Sequence, residues 1–255
     1  MSYLEAGLIV ILSALAAAVV GLAVGRRSTA EQRRRHHELA SPMVQLVGLM
    51  FSVLLAFVFS EVWGEYNIAA QAISEECGAL HGAAMLAAAL PNHGGLPLEQ
   101  AIGAYVVEVT HDEWPAMAKR QLSPKAMNAM RVALQDSAKA ALSAPTAEET
   151  THAQIMALLT RAHAARETRA FQVSQGLPAP MWIVLDVIAA ALVLSVVFSG
   201  LEGLTHMAFT AAFAGSIVVA LVLVGMFDYP FQGAMALSRG DFLNLASEIK
   251  TLMAG

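Results

Sequence analysis

The chain has 255 residues, 57% of them hydrophobic and 14% charged, with a formal net charge of −5. That apolar surplus exceeds what a water-soluble domain can bury, so lipid has to cover part of it. An acidic balance without a basic face sets nucleic acid aside as a partner, and the single cysteine, Cys77, excludes an internal disulfide.

The first apolar run, residues 3–24, carries one charge, Glu5, and at about 1.5 Å per residue is long enough to cross a bilayer. Its basic residues follow the run, at Arg26, Arg27, Arg33, Arg34 and Arg35, which is the reverse of a secretory signal. Gly21 and Gly25 form a G-x-x-x-G pair of the kind that lets helices approach closely in lipid, a pointer to oligomerisation. Further runs at 42–63, 181–200 and 206–227 each come near the ~20 residues that a span needs. The chain therefore reads as an all-α integral membrane protein with four transmembrane helices and an inserted extramembrane helical bundle. Its divisions are a hairpin over 1–64, the helical domain over 65–180, a second hairpin over 181–230 and a C-terminal tail over 231–255.

Orientation follows from short-loop Lys and Arg counts. The loop 25–41 holds five arginines and is expected in the cytoplasm, where it and His36 and His37 could also meet anionic headgroups. The helical domain and both termini then lie outside, and the turn at 201–205 inside.

Within the inserted domain, Ile68, Ala72, Ile73, Cys77, Leu80, Ala84 and Ala87 recur at three- and four-residue steps in phase with the second span. That spacing predicts a helix that leaves the membrane and runs on to about Leu90. Pro91, Gly94 and Gly95 end it. A helix from about Leu98 meets Pro115, which kinks or ends it. Ser123-Pro124 reads as an N-cap and first helical residue of a helix to about Leu142. Thr146 with Glu149 reads as a capping box opening a helix to about Gln175, and residues 176–180 break the chain before the third span.

No phosphate-cradling glycine loop, G-x-S-x-G or H-E-x-x-H is present, so neither an enzyme nor a cofactor is expected. Cys77 and His81 share a helix face near Glu75 and Glu76, but two ligands fall short of the four that zinc takes, and packing is the preferred reading. His111-Asp112-Glu113 reads as an exposed polar face. Three carboxylates fall near the outer ends of spans: Glu61, Asp186 and Asp228, with Glu65 one turn beyond Glu61. Acids at such depths are costly unless they face protein or water. Converging, they would make a mouth that attracts cations; the alternative is that Glu61 and Asp228 simply sit at the interface.

The run Phe227-Asp228-Tyr229-Pro230-Phe231-Gln232-Gly233, followed by Leu237-Ser238 and Asp241-Phe242, resembles the ending of the bacterial bestrophin-like family of unknown function. Phe51 to Phe59 with Glu61-Val62-Trp63-Gly64-Glu65-Tyr66, then Glu75-Glu76-Cys77-Gly78-Ala79-Leu80, is similar to that family's second helix and its glutamate-rich continuation. Trp114-Pro115 and Leu177-Pro178 stand where the family has W-P and L-P steps. Tyr229 stands where the family usually carries arginine, and Arg239-Gly240 replaces a proline-containing spacing. The family's name implies likeness to bestrophins, oligomeric ion channels. The resulting expectation is a homo-oligomer in a bacterial inner membrane, its domain and termini periplasmic, whose partners are the lipid bilayer and inorganic ions. The second span lines the path at Gln45, Ser52 and Glu61, while Trp63, Asp228, Pro230, Phe231 and Gly233 carry the family motif. The alternative is a non-conducting sensor or scaffold whose external helices bind a partner.

Overall fold

The structure is a computed structural model and describes residues 2–27, 30–91, 94–198 and 203–254. Asn92, His93 and the start of the turn at 201–205 lie outside the described residues, as do the side chains of Arg26, Arg27, Arg33, Arg34, Arg35, His36 and His37 and the surroundings of Gly25. The described residues form helices α1 (Tyr3–Arg27), α2 (Ala30–Ala88), α3 (Leu96–Glu108), α4 (Trp114–Met117), α5 (Pro124–Ser143), α6 (Glu149–Ser174), α7 (Ala179–Phe198), α8 (Gly203–Phe227) and α9 (Gly240–Ala254), with a π-helical turn at Val109–Glu113. No strand occurs among them. Four segments have the length and hydropathy of membrane spans: Tyr3–Ala23, Val44–Ala88, Ala179–Val197 and Met207–Phe227.

α2 is one helix of 59 residues, some 88 Å at about 1.5 Å per residue, against a hydrocarbon core of about 30 Å. It must therefore leave the bilayer, as the in-phase apolar seam predicts. The arginine-rich stretch is not the loop expected over 25–41, since α1 runs to Arg27 and α2 already begins at Ala30, twelve residues before Pro42.

The chain divides into two compact units. The first comprises Met1–Gly64 and Gly176–Asp228. There α1 packs on α8 and α7, and the residues it buries are small, Ala6, Ala17, Ala18 and Gly21. In lipid, helices gain little from apolar burial and associate through close backbone approach. Gly21 is thus used inside the single chain. The second unit comprises Glu65–Gln175 and Tyr229–Gly255. Its core joins Ala69, Ile73, Leu80 and Ala87 of α2 to Ile102, Tyr105 and Val109, Met130, Ile155 and Leu159, and Phe242, Leu245 and Ile249. The residues read as a C-terminal tail thus contain α9, which packs on α3.

Ser123 caps α5 by accepting the Ala126 amide, with Pro124 first in the helix. The capping box at Thr146 and Glu149 does not form: α6 starts after Glu148, with no side-chain cap. Gly95 is fixed by space, because a Cβ there would lie 1.9 Å from the carbonyl oxygen of Ala87.

Candidate functional site

Gln45, Ser52 and Glu61 are exposed on α2, and Asp186 is exposed on α7. Ser52 donates its hydroxyl to the Gly48 carbonyl at 2.8 Å. It lines an apolar groove of about 510 Å³ with Phe51, Leu55, Phe213 and Ile217. Glu65 is half-buried and bonded within its surroundings.

Asp228 has a different environment from Glu61 and Asp186. It is 3% exposed, and its carboxylate accepts the Leu177 amide at 2.7 Å and the Trp182 indole N–H at 3.4 Å. Both donors precede or open α7, whose N-terminal dipole favours an anion. Trp182 also lies against Gly225, where a Cβ would meet its ring at 3.5 Å. The acid therefore ties the exit of α8 to the entry of α7. Trp63 packs edge-on against Phe227 at 5.1 Å and stacks with Phe59 at 6.3 Å.

The rest of the terminal motif builds a turn. Pro230 is buried and its carbonyl accepts the Leu237 amide at 2.8 Å, while Gly233 adopts φ 79°, a region that a side chain disfavours. Phe231 and Phe242 pack edge-on against Trp114 at 5.8 and 5.7 Å.

Trp114 follows the π-turn, where its amide reaches back to the Val109 carbonyl instead of to Thr110. In that register the Thr110 carbonyl would take the amide of residue 115, but Pro115 has none. Arg239 supplies the missing donor, its Nη1 lying 2.9 Å from the Thr110 oxygen. The turn also overturns the reading of His111-Asp112-Glu113 as one exposed face: His111 stays outside, whereas Glu113 is buried.

Glu113 belongs to a buried charge network that the sequence reading missed. Arg169 donates through Nε to Glu76 Oε2 at 2.7 Å and through Nη2 to Glu76 Oε1 at 3.1 Å and Glu113 Oε2 at 3.0 Å. Arg166 Nη2 reaches Glu113 Oε1 at 2.5 Å, and the Tyr105 hydroxyl donates to Glu76. Burial, with Glu76 beside it, pushes the Tyr105 hydroxyl well above its ordinary value. Burial opposes charge on Arg169, but Glu76, Tyr105 and Glu113 outweigh it and hold the guanidinium well above its usual range. The signal was available: Glu76 falls on the buried seam between Ile73 and Leu80, and Arg166 and Arg169 fall among Ala162, Ala165, Ala170 and Val173. Of the Cys77 and His81 pair, His81 meets Glu248 at 3.1 Å and Cys77 packs against the core.

A family model described as "Bestrophin-like domain" matches residues 12–242. Among solved structures, the chain is similar to a bacterial bestrophin homologue from Klebsiella pneumoniae, with TM-score 0.77, 11% identity, and 97% of this chain and 98% of that one covered. A substituted form of that homologue gives TM-score 0.79 at 11% identity, covering 100% and 99%. A structure described as a membrane protein gives 0.80 at 11% identity, covering 96% and 99%. Among curated proteins, none matches this sequence.

Proposed function

Because this chain belongs to the bestrophin-like family, we propose that it is an oligomeric ion channel whose path is lined by α2. The observation that carries the reading is a stripe along that helix. Gln45, Ser52, Ser60, Asn67, Gln71 and Ser74 are all exposed, and at about 100° per residue they fall within an arc of roughly 100°, which they share with exposed Leu49, Val53 and Trp63. The buried seam of Phe51, Val58, Val62, Ala69 and Leu80 lies on the other side. For Gln45, Ser52 and Ser60, which belong to the first unit, a polar group turned to hydrocarbon is unfavourable, whereas against water it costs little. One helix cannot enclose a path, but several copies around an axis can. Beside the polar stripe, exposed Leu46, Met50 and Phe57 suit lipid or a neighbouring subunit.

Glu61 lies on that apolar flank, and with Glu65 and Asp186 it is proposed as an acidic mouth that concentrates cations. Asp228 is left out of the path because Leu177 and Trp182 occupy its carboxylate. The arginine-rich end of the α1–α2 hairpin is placed in the cytoplasm, which puts unit two and both termini in the periplasm.

Purified protein in proteoliposomes tests the function. A symmetric oligomer that carries cation flux is expected, with Glu61→Gln and Asp186→Asn lowering that flux most at low salt, where a surface field is least screened. A monomer that conducts would sink the α2-lined path, and an oligomer with no flux of any ion would favour a scaffold. Impermeant thiol reagents should label cysteines placed in unit two of intact cells. Labelling confined to the arginine-rich hairpin inverts the orientation.

A further inference from the structure

Two cations of the second unit are left without an anion. Lys119 and Arg120 are exposed just past α4, and neither has an acidic partner among the described residues. The lysines of α5 differ, since Lys125 pairs with Asp112 at 3.2 Å and Lys139 with Asp136 at 3.0 Å. Gln121 and Leu122 continue the exposed segment, Leu122 at 46%. An open leucine beside two unpaired cations fits a surface that is anionic and apolar at once.

Arg120 is kept in this place at a cost. It has φ 58°, the sole non-glycine residue with positive φ among those described. The Arg120 amide meets the Met117 carbonyl at 2.9 Å and the Gln121 amide meets the Ala116 carbonyl at 3.0 Å. Those bonds form the helix-ending motif in which glycine is the usual occupant, and an arginine there is disfavoured by its Cβ. Strain of this kind clusters where a ligand is held. The guanidinium lies over the ring of Tyr229, a residue of the same unit, 3.4 Å from the centroid. A ring face orients the cation without cancelling its charge.

Chain length alone sets the level of Tyr229 against the membrane. The span Met207–Phe227 ends two residues before it, and two residues reach at most about 7 Å. The headgroup layer beyond the hydrocarbon core is about 5–8 Å deep on each side. The Tyr229 backbone therefore stands within that layer or at its edge at any tilt, as interfacial tyrosines do, and Arg120 is seated on its ring.

We infer that residues 119–122 form a docking surface for the headgroup of an anionic phospholipid. Lys119 and Arg120 meet its phosphate, and Leu122 lies against the start of its acyl chains. The contact depends neither on conduction nor on which side of the membrane the second unit faces.

A polarity-sensitive fluorophore on Gln121→Cys, in full-length protein lacking Cys77 and held in detergent, reads lipid at this surface and not at the arginine-rich hairpin. Phosphatidylglycerol should saturate the signal at about 25-fold lower concentration than phosphatidylcholine of the same chains, about fivefold for each of the two cations, the factor that ~1 kcal/mol per basic residue represents. Lys119→Gln and Arg120→Gln should each raise the phosphatidylglycerol midpoint about fivefold and leave phosphatidylcholine unchanged. Lys139→Gln, about 22 Å along α5 from Pro124 and so well outside a Debye length of ~8 Å, should alter neither. Should Arg120→Gln not fold, Arg120→Gly suits φ 58° and removes the same charge, with the same expectation. Excess inorganic phosphate, which has no chains to meet Leu122, should not displace the lipid; displacement would reassign the two cations to a free anion. Equal midpoints for the two lipids, or a phosphatidylglycerol midpoint indifferent to both substitutions, overturns the surface.

Discussion

In the unit of Met1–Gly64 and Gly176–Asp228, most buried side chains are small or aliphatic, and Ser52, Ser195 and Ser216 each donate to a carbonyl four residues back on their own helix. The unit of Glu65–Gln175 and Tyr229–Gly255 instead encloses Glu76, Glu113, Arg166, Arg169 and Tyr105 with almost no exposure. The same long helix, α2, serves both units. Where lipid is the solvent, these serine hydroxyls are satisfied on their own helices, and α1 buries alanine and glycine against its neighbours. Where water is the solvent, the apolar core supplies stability and the ion network fixes which helix faces meet, since moving any partner strands a charge.

The largest effect should follow from breaking that network. Arg169→Met leaves Glu76 without its bidentate partner and Glu113 with one arginine, and is expected to lower stability by about 3–5 kcal/mol, read by denaturant unfolding in detergent. A loss below about 1 kcal/mol would mean that the apolar core alone holds α2, α3 and α6 in register. Next comes Gly95→Ala. The new Cβ would meet the Ala87 carbonyl at 1.9 Å, so the backbone must move, at about 1–3 kcal/mol. An unchanged melting temperature would refute the close approach of α3's start to α2's end.

The network also gives a pH signature. The Tyr105 pKa is raised in the folded state, so its contribution is fully present below the ordinary tyrosine value of about 10 and is lost as pH rises through that range toward the folded value. Alkaline destabilisation should therefore be shallower in Tyr105→Phe than in the parent, and identical slopes would remove the hydroxyl from the network. Arg120→Gly should matter least. It relieves the positive φ but forfeits the ring contact, two opposing effects of about 0.5–1 kcal/mol each, so the net change should stay within about 1 kcal/mol. A loss of several kcal/mol would show the Arg120–Tyr229 contact to be worth far more than an exposed cation–π contact.

How much of this was legible depends on which physics wrote it. The four spans and the run of α2 past the membrane follow from apolar length and a seam in register from Phe51 to Ala87, signals that one helix carries by itself. Ser123-Pro124 was readable because a cap is local. Thr146 and Glu149 match the same kind of local pattern, yet the turn closed by the Glu148 amide on the Pro145 carbonyl starts α6 later. Glu113 could not be placed from spacing, because the π-turn before Pro115 adds a residue and shifts the helical phase from there onward. The terminal motif was recognisable as a string of letters, but the partners of its parts are Leu177, Trp182, Trp114 and Arg120, all distant in sequence. Asp228 shows the cost of that distance. Its position at the end of a span suggested an acid at a mouth, whereas its two donors make it a tie between helices.

The α2-lined path is tested most directly by a cysteine scan of that helix in a background lacking Cys77, with flux measured before and after a charged, water-soluble thiol reagent. Cysteines at Ser52, Ser60 and Asn67 should allow block, while those at Leu46, Met50 and Phe57 should not. Block at the second set with none at the first, or flux indifferent to reagent at every position, would contradict a path lined by the polar stripe of α2.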